Sequence, residues 1–268
     1  MSKGLGETRR YIECSIFVLV WMAAGSLFKL GGSGYLLLGV PLVVAFQLLI
    51  ARRPLRQLWA RDPGSFRMDF KTLLMALTLI SVPVLALFFQ VRQYGSMLVV
   101  IAVGAIPCAF ALRHQHVAKL RHAFPSFGMA IVVGCAVFAS FAIWDGRSPG
   151  MGLAKLPIFF TDVVCLTLAG FVVEEVVFRG ALDSHLVPAQ GTSFQPWVSA
   201  IFVSFLWGIW HLPLTFLYPS REVGFLALAI FINILWGVPL SFCWRKSGTL
   251  LLPSVVHALC DSYRNALM

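Results

Sequence analysis

The chain has 268 residues, of which 59% are hydrophobic and only 12% are charged. Charged residues make up about a quarter of an ordinary soluble domain. The composition therefore excludes a soluble globular protein and indicates a membrane protein. The formal net charge of +10 is typical of nucleic-acid-binding proteins, but membrane loops account for it here, so we expect no nucleic-acid partner.

Long apolar stretches with few or no charged residues predict the membrane-spanning helices. A helix needs about 20 apolar residues to cross the hydrocarbon core of a bilayer. Stretches of roughly this length lie near residues 11–30, 34–51, 71–91, 94–112, 124–144, 158–187, 195–217, 223–244 and 249–266. The sequence therefore predicts an all-α fold, a polytopic membrane helix bundle of eight or nine spans. The count stays open because the stretch near 158–187 is long enough to contain a re-entrant turn.

Basic residues cluster in the loops between the predicted helices. These residues are Arg52, Arg53, Arg56, Arg61, Arg67 and Lys71, then Arg113, Lys119 and Arg121, and then Arg245 and Lys246. Positively charged loops face the cytoplasm, and Lys3, Arg9 and Arg10 put the N-terminus on the same side. The first apolar stretch lacks a small-residue cleavage site and is expected to be retained. We therefore expect a multi-pass protein of the bacterial inner (cytoplasmic) membrane with a cytoplasmic N-terminus.

Ionisable side chains within the apolar stretches concentrate in the second half of the chain. They are Asp162, Glu174, Glu175, Arg179, His211, His257 and Asp261. A charged side chain at the bilayer centre costs about 2.5–3.5 kcal/mol, so such residues face a bundle interior or a water-filled cavity. We therefore expect the functional site in this half.

The run FVVEEVVFRGALDSHL at residues 171–186 contains the strongest of these clusters. Residues four apart share a face of an α-helix, while neighbouring residues point in different directions. Glu175 and Arg179 therefore fall together, with the acid before the base, the order that favours an ion pair. Glu174 points elsewhere, so we expect it to take a partner from another helix.

His211 is expected to lie at the same depth as Glu174. If the chain turns through PAQGTSFQP at residues 188–196, the next helix begins near Trp197 and returns antiparallel. Glu174 is 13 residues before Val187, and His211 is 14 residues after Trp197. At about 1.5 Å per residue, both side chains lie roughly 20 Å from the turn. The two should therefore meet.

The third polar element is the run LLLPSVVHALCDSYR, in which His257 and Asp261 are four apart and share a face. A carboxylate can hold an imidazole through one ring nitrogen and leave the other directed at a ligand. With Glu174 and His211, these residues provide two carboxylates and two imidazoles on three helices, a set that can activate water. Side chains more than about 10 Å apart would contradict this convergence, since neither a hydrogen bond nor one bridging water spans that distance.

Three short motifs follow one another along this half: EEVVFRG at 174–180, WGIWH at 207–211 and SGTLLLPSVVHALCD at 247–261. They resemble, in the same order, the EExxxR motif, the FxxxH motif and the closing HxxxN or HxxxD segment of the CPBP family. This family comprises the CAAX proteases and bacteriocin-processing proteins and is also called the Abi family. The resemblance covers about the last 110 residues and implies an all-α intramembrane glutamic endopeptidase.

The resemblance implies catalytic roles for Glu174, His211, His257 and Asp261 and supporting roles for Glu175 and Arg179. Glu174 would be the general base that activates the hydrolytic water, which His211 would help to orient. His257 with Asp261 would stabilise the oxyanion. No cofactor and no metal is implied.

Two positions depart from the family pattern. Trp207 stands where the second motif usually has Phe, which we expect to alter the packing beside His211 without removing chemistry. Asp261 stands where many members have Asn, and an ionised Asp cannot donate to an oxyanion. Either Asp261 stays protonated, or it orients His257 and His257 alone donates.

Other functions remain open. The same four side chains would suit zinc with a water in the fourth position, although the sequence has no HExxH motif and we favour a metal-free mechanism. A non-catalytic immunity or scaffold protein could use the polar cluster to bind a peptide or toxin. A transporter is a third alternative, because intramembrane acids also mark ion relays, but the two halves show no repeat of the kind many transporters carry.

The sequence predicts one continuous membrane domain, with N-terminal transmembrane helices at 1–150 and a CPBP-like catalytic transmembrane core at 151–268. A site surrounded by apolar helices must receive an extended peptide, because the amides of a helical substrate are engaged in their own hydrogen bonds. We therefore expect two partners, the lipid bilayer and a membrane-associated peptide or protein. That substrate would be a lipid-modified C-terminus, a leader peptide or a transmembrane segment with helix-breaking residues.

Overall fold

The computed structural model describes residues 2–30, 32–61, 66–88, 93–144, 146, 152–187, 195–215 and 223–267. Within these ranges the chain forms helices and no β-strand, so the predicted all-α fold is confirmed. The predicted turn at 188–196 lies outside the described residues except for its last two.

The elements follow the apolar stretches of the sequence. The α-helices are α1 (Ser2–Leu27), α2 (Gly32–Ala45), α3 (Phe70–Phe88), α4 (Gln93–Arg113), α5 (Val117–Trp144), α6 (Leu156–Gly170), α7 (Ser184–Leu186), α8 (Gln195–Trp210), α9 (Leu212–Thr215), α10 (Val223–Ser247) and α11 (Leu251–Leu267). The remaining helical turns are π-helical at Phe46–Ile50 and Val176–Asp183 and 3₁₀ at Leu55–Leu58 and Leu153–Lys155. We call Val176–Asp183 the π segment.

Among the described residues, five helical stretches are long and apolar enough to cross a membrane. They are Gly6–Leu27, Val117–Ser140, Leu153–Gly170, Pro196–Leu214 and Ala227–Ser247. Shorter apolar helices occupy Gly34–Ile50, Phe70–Leu85 and Leu98–Arg113. Apolar helices of this kind are those of an integral membrane protein. In the described residues only the five long stretches are candidate spans, so the eight or nine spans that the sequence predicts are not clearly present.

The stretch 158–187 is two elements rather than one long helix. α6 ends at Gly170, and the chain turns at residues 171–173 before it becomes helical again at Glu174. At this turn the carbonyl of Phe171 accepts a hydrogen bond from the indole N–H of Trp59 at 2.7 Å. Because that carbonyl bonds to an indole rather than within a helix, the ladder is interrupted. Glu174 therefore begins a new element instead of lying in the middle of a straight span.

The π segment lies in the core, and all eight of its residues are buried. α8, α10 and the 3₁₀ turn Leu55–Leu58 pack against it. Gly180 permits the close approach of this turn, since a Cβ at that position would lie 2.1 Å from the carbonyl oxygen of Leu58. α11 packs against α5, α6 and α10. The three regions that carry the predicted site residues therefore share one bundle.

Polar contacts fix the end of the π segment. Arg245 of α10 donates to both carboxylate oxygens of Asp183, with Nε 2.9 Å from Oδ2. In the next residue, the carbonyl of Ser184 accepts from Arg53, and its hydroxyl accepts from the indole N–H of Trp244 at 3.0 Å. The segment is thereby held from two sides of the bundle.

We expect Asp183→Ala to lower the free energy of unfolding by about 3–5 kcal/mol, because removing one partner of a buried ion pair leaves the other charge uncompensated. The side chains of Asp183 and Arg245 are 0% and 8% exposed. Arg9→Ala is the control, since Arg9 pairs with Glu13 while 79% exposed and such pairs contribute at most about 1 kcal/mol. Thermal unfolding in detergent measures both variants. Equal melting temperatures for the two would contradict the expectation.

Candidate active site

Glu174 lies where three helical elements meet. It directly precedes Glu175 and the π segment, and its carboxylate points toward α8 and α11. Its Oε2 atom is 3.9 Å from Nε2 of His211 and 4.0 Å from Nε2 of His257. The structure thus brings together the carboxylate and the two imidazoles predicted to converge, far inside the limit of about 10 Å that would have contradicted the prediction.

His211 follows the last residue of α8 and is oriented by its own helix. Its Nδ1 atom lies 2.7 Å from the carbonyl oxygen of Trp207, four residues earlier. A carbonyl oxygen can only accept, so Nδ1 carries the ring proton of this hydrogen bond. In the neutral ring, Nε2 is then an acceptor and faces Glu174.

His257 of α11 is held by Glu175. Nδ1 of His257 lies 2.8 Å from Oε1 of Glu175, so the nitrogen donates to the carboxylate. Nε2 of the same ring is directed to Glu174 and to Asp261, whose Oδ2 atom is 3.5 Å away. Glu175 therefore sets the orientation of this imidazole and leaves Nε2 facing the other two acids.

The acid nearest to the His257 ring is Glu175, at 2.8 Å, rather than Asp261, which the spacing within α11 suggested. The distance of 3.5 Å from Oδ2 to Nε2 of His257 is longer than an ordinary hydrogen bond of about 2.7–3.2 Å. Its Oδ1 atom instead pairs with Arg264 at 3.1 Å, one turn along α11. This ion pair favours the ionised carboxylate over the protonated alternative. The reasoning from spacing within α11 missed Glu175, which approaches from another element.

The predicted ion pair between Glu175 and Arg179 is confirmed. Nε of Arg179 lies 3.5 Å from Oε2 of Glu175, and both side chains are fully buried. The guanidinium also lies over the ring of Trp207, 4.6 Å from its centroid. One buried cation therefore contacts both a supporting carboxylate and an aromatic ring of α8.

Trp207 contributes a polar contact that the sequence did not predict. Its indole N–H donates to Oε2 of Glu174 at 2.7 Å. The substitution of Trp for the usual Phe is expected to alter the packing beside His211, and the ring of Trp207 lies 5.7 Å from the ring of His211. The spacing could have indicated the polar contact, because Trp207 lies four residues before His211 and therefore on the same face of α8.

The site opens into a cavity with mostly apolar walls. The cavity has a volume of about 90 Å³ and is lined by Leu36, Leu37, Val100, Leu166, Ala169, Gly170, Val173, Glu174, His257, Ala258 and Asp261. Such a volume has room for several water molecules. Its polar end is formed by three of the predicted site residues, and helices α2 and α4 of the first half contribute part of its apolar wall. That contribution had no signal in the sequence, because these helices carry no ionisable residue at the cavity.

Asp162 of α6, another ionisable residue of the apolar stretches, accepts a hydrogen bond from Asn265 at 3.2 Å. Among the described residues, no group of three His, Cys, Asp or Glu side chains has the arrangement of a metal site.

We expect Arg179→Met to lower the free energy of unfolding by about 3–5 kcal/mol, because the fully buried Glu175 loses its adjacent cation. Adding Glu175→Gln should recover a large part of that loss, since both charges are then absent. Thermal unfolding of the wild type, the two single variants and the double variant forms a double-mutant cycle. If the loss of unfolding free energy in the double variant equalled the sum of the losses in the two single variants, Glu175 and Arg179 would not be energetically coupled.

The matched family agrees with this geometry. Residues 156–263 match the family described as Type II CAAX prenyl endopeptidase Rce1-like. This range begins in α6, ends in α11 and contains Glu174, His211, His257 and Asp261. No curated protein and no solved structure matches the chain. The resemblance drawn from the three motifs is thus confirmed: residues 156–263 match a domain of the CPBP and CAAX protease family.

Proposed function

We propose that this protein is an intramembrane endopeptidase that hydrolyses a peptide bond of a membrane-associated peptide or protein with water activated by Glu174. One observation carries the proposal. Oε2 of Glu174 lies about equally far from Nε2 of His211 and Nε2 of His257, at 3.9 and 4.0 Å. These separations exceed a direct hydrogen bond and suit a bridging water, and the cavity at Glu174 has room for it.

Glu174 and His211 would act on the water together. Nδ1 of His211 donates to the carbonyl of Trp207, so Nε2 of the neutral ring is free to accept a proton of the water. Glu174 accepts the other proton. A water whose two protons point to Glu174 and His211 directs a lone pair away from both, toward a substrate carbonyl in the cavity. Attack forms the new carbon–oxygen bond and transfers a proton to Glu174, which acts as the general base. Glu174 would then return this proton to the nitrogen of the leaving amine as the carbon–nitrogen bond breaks.

His257 would stabilise the oxyanion formed by that attack. Its Nδ1 atom is held by Glu175 at 2.8 Å, and carboxylates of Glu174 and Asp261 lie within 4.0 Å of Nε2. Negative charges on both sides of the ring stabilise an imidazolium, whose Nε2 can donate to the developing oxyanion. A donor of this kind contributes about 2.7–4 kcal/mol to a tetrahedral transition state. Asp261 would then act by charge and position, with His257 as the donor.

Glu175 and Arg179 would support the site by holding His257 in place. In this buried pair, the charge of Arg179 compensates that of Glu175, which accepts the hydrogen bond from Nδ1 of His257. No step of the reaction requires either side chain to touch the substrate.

The substrate would be an extended, membrane-associated segment. The walls of the cavity are apolar away from Glu174, His257 and Asp261, so they suit an apolar side chain or lipid-modified group beside the scissile bond. A lipid-modified C-terminus, a leader peptide or a transmembrane segment with helix-breaking residues would meet this requirement. We further propose eight or nine crossings of a bacterial inner membrane, with the shorter apolar helices completing the spans and the N-terminus in the cytoplasm. The core at 151–268 would then form one continuous domain with the helices at 1–150.

We expect Glu174→Gln and His211→Ala each to lower kcat by at least about 100-fold against a membrane-anchored peptide that the wild type cleaves, because general-base catalysis contributes about 10²–10⁴-fold. The assay compares purified proteins in detergent against a panel of such peptides. Glu174→Gln is nearly isosteric, so its melting temperature should stay close to that of the wild type. A non-catalytic immunity or scaffold protein would keep its binding phenotype with Glu174→Gln and would release no product in any variant.

Metal removal separates the glutamate mechanism from a zinc-dependent version of the same protease. We expect activity to survive 1,10-phenanthroline, since Glu174 would act on water without a metal. Elemental analysis of the purified protein provides the second measurement. Inhibition that added zinc reverses, together with stoichiometric zinc in the protein, would replace the glutamate mechanism with the zinc mechanism.

A further inference from the structure

We propose that Trp207 is a positioning residue whose indole N–H holds Oε2 of Glu174 between the imidazoles of His211 and His257. This inference rests on the proposed function, because it assigns Trp207 a part in placing the general base. The family pattern usually has Phe at this position, and Phe has no N–H to donate. The contact is therefore particular to chains with Trp here.

The hydrogen bond is direct and short. Nε1 of Trp207 lies 2.7 Å from Oε2 of Glu174, which is the length of a charge-assisted bond to a carboxylate. The two histidines lie 3.9 and 4.0 Å from the same oxygen and are too far to hold it. Glu174 has a long side chain that is 21% exposed. Without a direct donor, its carboxylate would be free to turn into the cavity.

Packing fixes the direction in which the indole donates. The ring of Trp207 is 1% exposed and lies 5.3 Å from that of Trp236. On one face, the guanidinium of Arg179 lies 4.6 Å from the ring centroid. Within the described part of the chain, the guanidinium nitrogens of Arg179 have no hydrogen-bond acceptor, so the ring and Glu175 share its charge. A cation over the indole withdraws electron density from it and makes the N–H a stronger donor.

Trp207 also reaches the second residue that would contact the water. Its main-chain carbonyl accepts from Nδ1 of His211 at 2.7 Å, which leaves Nε2 of His211 facing Glu174. The backbone of Trp207 therefore orients the imidazole, and its side chain orients the carboxylate. Trp207→Phe keeps the carbonyl and an aromatic ring and removes the N–H. Because this change also shortens the ring system, its effect is compared with that of a control that loses the same atoms elsewhere.

Trp244→Phe is a closely matched control. Trp244 is also fully buried, its indole donates to the hydroxyl of Ser184 at 3.0 Å, and the guanidinium of Arg61 lies 6.0 Å from its ring. It therefore loses the same atoms and one hydrogen bond, away from Glu174. Both variants are compared with the wild type on one membrane-anchored peptide that the wild type cleaves, with melting temperature as the measure of folding.

We expect Trp207→Phe to lower kcat by about 10- to 100-fold, the value of one hydrogen bond to a charged group, with KM changed less than about threefold and Trp244→Phe close to the wild type in kcat. Equal losses of kcat in the two variants, in step with their melting temperatures, would make the contribution of Trp207 structural and overturn the inference. A Trp207→Phe variant with the kcat of the wild type would overturn it as well.

A spectroscopic measurement tests the contact without turnover. In nitrogen-15 labelled protein, the indole N–H signal of Trp207 is identified by its loss in Trp207→Phe. Glu174→Ala should shift this signal and leave that of Trp244 unchanged. A Trp207 signal that does not respond to Glu174→Ala would overturn the inference.

The outcomes also separate this inference from the proposed function. Cleavage that Glu174→Gln abolishes and Trp207→Phe leaves intact would overturn the positioning role alone. A wild type that cleaves no peptide of the panel, or a Glu174→Gln variant with full activity, would overturn the proposed function and the positioning role with it, even if the indole signal responds to Glu174.

Discussion

Two adjacent carboxylates inside an apolar helix bundle are the constraint on which this structure depends. A buried charge is costly unless other groups compensate it, and Glu174 and Glu175 meet this requirement in different ways. Glu175 is fully buried and contacts Arg179 and His257. Glu174 is 21% exposed and faces the cavity. The charge of Glu175 is thus neutralised by its neighbours, while that of Glu174 remains available to a ligand or a water.

The local helix geometry gives the two acids their separate surroundings. The break at residues 171–173 begins a new element at Glu174, and the π segment follows it without a residue at the surface. Wide helical turns of this kind occur frequently at functional sites. Here the π segment carries Arg179 to a position between Glu175 and the ring of Trp207. One guanidinium therefore links the supporting pair to the helix that presents His211.

The sequence predicted the contacts that follow from spacing and depth. Glu175 and Arg179 are four residues apart and share a helix face, which predicted their ion pair. Glu174 and His211 are nearly the same number of residues from the predicted turn, which predicted that they meet. The length of the stretch 158–187 allowed a re-entrant turn, which is why the predicted span count stayed open. The position of the break could not be predicted, because its carbonyl partner is the indole of Trp59, 112 residues away in sequence.

The acid that accepts the hydrogen bond from His257 could not be predicted from spacing alone either. Spacing within α11 pointed to Asp261 as the acid that holds the imidazole, and that acid does lie on the correct face. The hydrogen bond nevertheless goes to Glu175, since tertiary packing brings a second carboxylate closer to Nδ1 than any residue on the same helix face. The sequence motif likewise predicted only a change of packing at Trp207. It shows that an aromatic ring is usual at this position, but it does not show that the indole N–H donates to Glu174.

The two halves of the chain contribute unequally to the candidate site. Glu174, His257 and Asp261 lie within the family match at 156–263, while α2 and α4 supply Leu36, Leu37 and Val100 to the wall of the same cavity. A set of polar atoms that must meet within about 3–4 Å permits few residue types at each position. An apolar wall can be built from many side chains of similar volume. Under the proposed function, the helices of the first half would therefore shape the part of the cavity that receives the apolar group beside Glu174.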